Sequence, residues 1–242
     1  MKILAIIPAR GGSKGIPDKN MRKIAGKPLI EYTINAAKSS KLINKIIVST
    51  DSKKIANFSK SKGIEVPFLR PNNLSKSNSS TIDVINHTIN FLKKYENYIP
   101  DVITILQPTS PLRTVNILDK SIKLLKNSQL SSSILGVVKV KNHPFLCFEL
   151  KNSFLKPFKS NFKKYSQRQK FPIFYYPTGS IYTFWYKTLE NYGNIYGSKI
   201  KPLLIDIEDS IDIDTPYDLF QAEMKIKNWD KFMTNYSNKK VN

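Results

Sequence analysis

Residues 2–20 read KILAIIPARGGSKGIPDKN. The stretch KILAIIP (2–8) is an almost unbroken apolar run, as a strand buried on both faces requires. It ends abruptly in a loop with glycines at 11, 12 and 15 and with Arg10, Lys14 and Lys19 among and after them. GKPLIEYTINAAKSS (26–40) follows, with Leu29, Ile30, Thr33, Ile34 and Ala37 on one helical face. Buried strand, glycine loop, helix: this is the opening unit of an α/β sheet.

The pattern recurs outward from there. KIIVSTD (45–51), VPFLRP (66–71), DVITILQP (101–108) and SSSILGVVKV (131–140) read as strands. SKKIANFSKSKG (52–63, closed by Gly63), STIDVINHTINFLKKY (80–95) and VNILDKSIKLLKNS (115–128) read as helices between them. Strands alternating with helices predict a mostly parallel sheet covered by helices on both faces. From about 141 to 178 helical periodicity disappears, and aromatic and basic residues mix with prolines, which suggests an inserted arm or small β extension. Alternation then resumes with strands GSIYTFWY (179–186) and KPLLIDI (201–207). A last helix, TPYDLFQAEMKIKNW (215–229), has Thr215 as its cap and Pro216 in its first turn. The expected organisation is one domain over 1–228, arm included, and a frayed tail over 229–242.

Composition narrows the function. The 242 residues are 40% hydrophobic, enough for a sizeable core. No stretch approaches a membrane span, and the first apolar run is too short for a signal peptide, so a cytoplasmic protein is expected. A single cysteine, Cys147, excludes an internal disulfide framework and reads as a small hydrophobe. His87 and His143 are too far apart to form a local metal motif, and His87 reads as a packed or solvated helix residue. The net charge of +21 invites a nucleic-acid reading, but only five of the 39 cationic residues are arginine. The lysines are spread along the chain as a solvated surface would spread them.

Three segments carry chemistry. IPARGGSKGIPDKN (7–20) can bend tightly and turn backbone N–H groups towards an anion, with Arg10, Lys14 and Lys19 beside it: a triphosphate cradle. It is neither a Walker loop nor a dinucleotide fingerprint. LQPTSPLR (106–113) lies at the carboxyl end of a buried strand, where open α/β sheets bind ligands. It offers the Gln107 amide, the Thr109 and Ser110 hydroxyls, and Arg113, which either starts the next helix or holds a phosphate. In DSIDIDTPYDL (209–219), Asp212 and Asp214 are two apart, so an extended backbone turns both carboxylates to one side, where they suit a hard cation such as Mg²⁺.

PARGGSKGIPDKN, VSTDS, FLRP, LQPTSPLR, RQKFP before a G-x-I-Y strand, and SIDIDT occur in that order. Together they resemble the CMP-N-acylneuraminate synthetases (acylneuraminate cytidylyltransferases) over residues 1 to about 228. The resemblance implies a Rossmann-like nucleotidyltransferase fold and a homodimer built through the arm. It implies Mg²⁺-dependent transfer of CMP from CTP to a nonulosonic acid, with release of pyrophosphate. Carried over by position, Arg10, Gly11, Gly12, Ser13, Lys14, Lys19 and Asn20 would hold the nucleotide and its phosphates, with Arg70 and Thr81 near the cytidine. Gln107, Tyr182 and, from the arm, Arg168 would contact the sugar acid. Asp212 and Asp214 would bind Mg²⁺, and Arg10 and Lys19 would join them as the catalytic set. Thr178 stands where sialic-acid members usually carry Asn; a lost amide at a sugar pocket opens the specificity to a related sugar, such as a legionaminic-type acid. The alternatives are a cytidylyltransferase for another acidic sugar, such as 3-deoxy-manno-octulosonate, and a basic nucleic-acid-binding protein. The favoured function predicts no nucleic-acid partner.

Overall fold

A computed structural model describes residues 1–13, 15–128, 130–158 and 171–238. Lys14 and Arg168, two of the expected site residues, lie outside them. The centre is a six-stranded sheet made of β1 (Ile3–Pro8), β4 (Lys45–Ser49), β5 (Val102–Ile105), β6 (Ser133–Lys139), β9 (Tyr175–Trp185) and β10 (Ile200–Leu204). Their spatial order is β10-β6-β9-β5-β1-β4. β1 runs parallel to β4 and β5, and β10 runs parallel to β6. β9 is antiparallel to both of its neighbours and the other three pairs are parallel, so the sheet is mostly parallel, as expected, with one strand reversed. Two small ribbons accompany it, β2 (Lys23–Ile24) with β3 (Lys27–Pro28), and β7 (Phe148–Lys151) with β8 (Phe154–Pro157).

The unbroken apolar run of β1 has a direct cause. Ile3, Ala5 and Ile7 point into one core, with Ile30, Ile34 and Ala37 of α1 (Leu29–Ser39), Ile55 of α2 (Lys53–Ser61) and Leu118 and Ile122 of α4 (Val115–Lys126). Leu4 and Ile6 point into the other, with Ile85, Ile89 and Leu92 of α3 (Thr81–Glu96) and Leu189 of α5 (Tyr186–Tyr192). Both faces are covered, so both sets of alternating side chains must be apolar. Side-chain caps place the helix starts: Ser52, Ser80 and Thr114 accept backbone N–H bonds from the first turns of α2, α3 and α4. At α6 (Pro216–Asn238), Thr215 Oγ1 accepts from the Asp218 N–H at 3.3 Å, and Asp218 Oδ2 accepts from the Thr215 N–H at 2.7 Å. This is a reciprocal capping box.

Three expectations change. VPFLRP forms a single isolated bridge, Leu69 with Thr50, next to that of Glu65 with Ile47, because proline at 67 and 71 leaves little chain to build a ladder. α6 continues past Trp229 to Asn238. The arm ends before 178, since Tyr175–Pro177 already pair with Lys139–Val137 in the main sheet. Its described part is a hairpin whose turn puts Asn152 and Ser153 in the left-handed region, with φ of 49° and 65°. Cys147 lies at the base of that hairpin and is exposed, so it is not the packed hydrophobe its sequence suggested.

Candidate active site

The parallel strands β1, β4 and β5 finish at one edge of the sheet, and the glycine loop, the 50–52 turn and the 106–113 loop leave from there. The glycine loop is pinned early. The Ala9 N–H donates to the Ser49 carbonyl and the Gly11 N–H donates to Asp51 Oδ1 at 2.8 Å. The buried Asn20 amide then donates to the Arg10 carbonyl at 2.9 Å, drawing the two ends of the loop together.

The acidic segment from the far end of the chain closes onto this loop. Ile213 is fully buried with Ile16, Ile24, Leu29 and Ala222 in a small third core. Burying one such side chain contributes about 1.5–3 kcal/mol. Asp212 and Asp214, on either side of it in an extended run, are turned the other way, and both line the cleft. Lys19 Nζ donates to the Ile213 carbonyl at 2.8 Å and to Asp214 Oδ1 at 2.9 Å. The Ile213 N–H donates to the Thr109 carbonyl at 2.8 Å. A Cβ on Gly15 would lie 2.4 Å from the Asp214 carbonyl oxygen, so glycine is needed there for close approach to backbone. Gly179, on β9, has φ +71°, and a Cβ there would sit 2.9 Å from Asp212 Oδ2. The three sequence motifs thus meet in one place.

The resulting cleft has a volume of about 290 Å³. Arg10, Ser13, Lys19, Asn20, Arg70, Thr81, Gln107, Asp212 and Asp214 all line it. Gly11 serves through its backbone, and Gly12 has open space around it. Arg113, Thr178 and Tyr182 stand outside this lining. Arg113 is buried among Ser180, Thr33 and Gln107; it donates to Thr33 Oγ1 at 3.2 Å and to the Gln107 carbonyl at 2.5 Å, and its Nε bonds the Ser180 carbonyl. It is therefore an internal staple between the 106–113 loop, α1 and β9, and no phosphate ligand. Thr178 is buried, and its hydroxyl contacts the Gly136 carbonyl and Ser180 Oγ, so its side chain is not part of the cleft wall. Tyr182 packs half-buried beside the second core and does not line the cleft. Burial pushes its phenol up to about 12, with Tyr196 and Asp212 adding to the effect.

The sequence reading missed Leu74, Lys76, Ser77, Ser79 and Val84, which form a further part of the cleft wall. The only signal was a Ser/Asn-rich stretch, PNNLSKSNSS (71–80), leading into the N-terminus of α3.

Electrostatics set the character of the wall. Burial, followed by the repulsion of Asp214, raises the Asp212 carboxyl, while the Thr109 hydroxyl and the Lys19 ammonium pull it down. Asp212 Oδ1 is buried with no hydrogen-bond partner among the described residues. An orphaned carboxylate oxygen in a cleft is an unmet demand for a cation or a donor. Burial also lowers the Arg70 guanidinium to about 10; Asp51 opposes that effect and Arg10 adds to it. Arg70 Nε donates to Ser49 Oγ at 3.1 Å and its Nη2 to the Ser49 carbonyl.

The model of the cytidylyltransferase family matches residues 4–227. The chain is 38% identical over 224 residues to a CMP-N,N'-diacetyllegionaminic acid synthase of Legionella pneumophila, covering 90% of this chain and 93% of that one. It is 31% identical to an N-acylneuraminate cytidylyltransferase of Escherichia coli, covering 90% of this chain and half the length of that relative. Among solved structures, a CMP:2-keto-3-deoxy-manno-octonic acid synthetase complexed with CTP superposes with a TM-score of 0.67 at 16% identity, covering 93% and 98% of the two chains. That likeness is one of fold.

Proposed function

The chain belongs to the cytidylyltransferase family, and from that premise we propose that it transfers CMP from CTP to the anomeric hydroxyl of a nonulosonic acid in the cytoplasm. The observation that carries this is the convergence of Lys19, Thr109, Asp212 and Asp214 on one cleft at the carboxyl edge of the sheet. The sugar hydroxyl attacks the α-phosphorus, a new P–O bond forms, and the bond to the β-phosphate oxygen breaks to release pyrophosphate. The hydroxyl proton must leave as the bond forms. Arg10 and Lys19 offset the charge that builds on the departing pyrophosphate. The glycine loop's backbone, fixed by Asp51 and Asn20, orients the phosphates against that charge. Gln107 faces the cleft as a neutral contact for the sugar acid.

Asp212 and Asp214 suit Mg²⁺: both are hard oxygen donors in one cleft, and the buried Asp212 Oδ1 lacks a partner. When bound, Mg²⁺ supplies neutralisation of phosphate oxygens and a lower pKa for a hydroxyl it contacts. Among the described residues no group of three or more His, Cys, Asp or Glu side chains is placed to hold a metal, which fits an ion completed by nucleotide oxygens and water. The exposed hairpin β7–β8 supports a homodimer formed through the arm, since Leu150, Phe154 and Leu155 have no core to cover them. Pyrophosphate release from CTP, measured with a panel of legionaminic-type, neuraminic and pseudaminic acids and 3-deoxy-manno-octulosonate, tests the assignment. Turnover with a nonulosonic acid is expected; turnover with the octulosonate alone, or with none, overturns it.

A further inference from the structure

Between Pro71 and Ser80 the chain makes a short 3-10 turn, Asn72–Leu74, and then folds back on itself. Ser75 Oγ donates to the Pro71 carbonyl, Ser79 Oγ to the Asn73 carbonyl and the Ser79 N–H to the Lys76 carbonyl, each at 3.1 Å. The loop is braced by its own serines, with Lys76 inside the brace, and Lys76 lines the cleft. Arg10, from the glycine loop, is uncommitted among the described residues, whereas two other described cations of the wall are engaged. The Lys19 ammonium is shared between the Ile213 carbonyl and Asp214, and the Arg70 guanidinium is fixed on Ser49. The Lys76 ammonium has no hydrogen bond or ion pair with the described residues. It can therefore meet an incoming anion without breaking an existing contact.

We propose that Lys76 is a further nucleotide-binding residue, whose ammonium contacts the phosphate chain of the bound nucleotide from the 72–80 loop. The inference rests on the nucleotide-binding reading of the cleft. A polyphosphate brings several negative charges next to Asp212 and Asp214, and Lys19 is already engaged with one of that pair. Lys76 adds, beside Arg10, a positive charge that no contact within the described residues already occupies. A lysine suits the position because its ammonium is a point charge on a flexible stem and can follow a phosphate as it moves.

The test is calorimetric titration of CTP and of cytidine, with Mg²⁺ at fixed ionic strength, into wild type and into the Lys76→Ala, Lys76→Arg and Lys120→Ala variants. Lys120 is an exposed lysine on α4 and controls for the general field of a +21 chain. Lys76→Ala is expected to weaken CTP roughly tenfold, the effect of losing one charge-assisted contact, and to change cytidine by less than about twofold. Lys76→Arg should restore most of the loss, and thermal melts should coincide. The proposal is overturned if Lys76→Ala binds CTP within about twofold of wild type, or if Lys120→Ala loses as much. Failure of the wild type itself to bind CTP would instead remove the nucleotide reading on which the proposal rests.

Discussion

The cleft and the arm handle exposed chemistry in opposite ways. At the cleft, residues as far apart in sequence as Lys19 and Asp214 are hydrogen-bonded, and a small apolar core around Ile213 holds them there. The arm's described part is a local hairpin, with Phe154 and Leu150 78% and 72% exposed. The cleft is braced as a scaffold and holds Asp212 Oδ1, a buried oxygen without a hydrogen-bond partner among the described residues. The hairpin leaves its apolar area exposed to solvent. One region turns polar groups inward and the other turns apolar groups outward.

The contrast can be broken most severely at the cation beside the loop. Arg10→Ala is expected to lower kcat/KM by about 2–4 kcal/mol of transition-state stabilisation, with the melting temperature nearly unchanged. Steady-state pyrophosphate release checks this, and a loss below about tenfold would place Arg10 outside the reacting charge. Next comes Gly15→Ala. Its Cβ meets the Asp214 carbonyl at 2.4 Å, so the loop and the acidic segment must separate. A stability loss of about 1–3 kcal/mol is expected by urea denaturation, together with reduced turnover. Unchanged stability would mean that the two segments are not held in contact.

The arm gives the complementary result. Replacing Leu150, Phe154 and Leu155 together by Ser should leave the monomer's melting behaviour almost unaltered, because these side chains bury little within the chain. Analytical ultracentrifugation should show a shift towards monomer. A dimer of unaltered strength would move the interface elsewhere.

The smallest effect concerns Asp212 in protein freed of metal by chelation. Its folded-state carboxyl titrates above the usual carboxylate range, chiefly through burial. The native state then binds more protons than the unfolded chain, so this group's contribution weakens as pH rises from about 4 through the raised value. Asp212→Asn should therefore melt higher than wild type at neutral pH, with the gap closing in acid, while turnover is lost. Equal melting at neutral pH would mean that the carboxylate is adequately compensated without a cation.

The local units were legible because their causes are local. An apolar run of period-independent burial at KILAIIP, capping residues such as Ser80 and Thr114, and glycines crowded beside cations are written in adjacent residues. The alternation of Asp212 and Asp214 around Ile213 could be stated from backbone period alone. Lys76 was not legible, since a lysine in a Ser/Asn loop looks like any other lysine of this chain until the loop's position is known. Arg113 was open on sequence between a helix start and a phosphate contact, and three backbone and side-chain oxygens behind the loop claim it instead.

By itself, then, the sequence determined most of the strands and helices, their caps, and the three motifs whose residues meet at the cleft. Tertiary structure alone decided that β9 runs against its neighbours, that Arg113 and Thr178 face inward, and that Gly15 touches Asp214. The physical reason is range. Period, capping and turn preference act within a few residues, whereas the direction of a strand and the facing of a side chain depend on the burial of partners far along the chain.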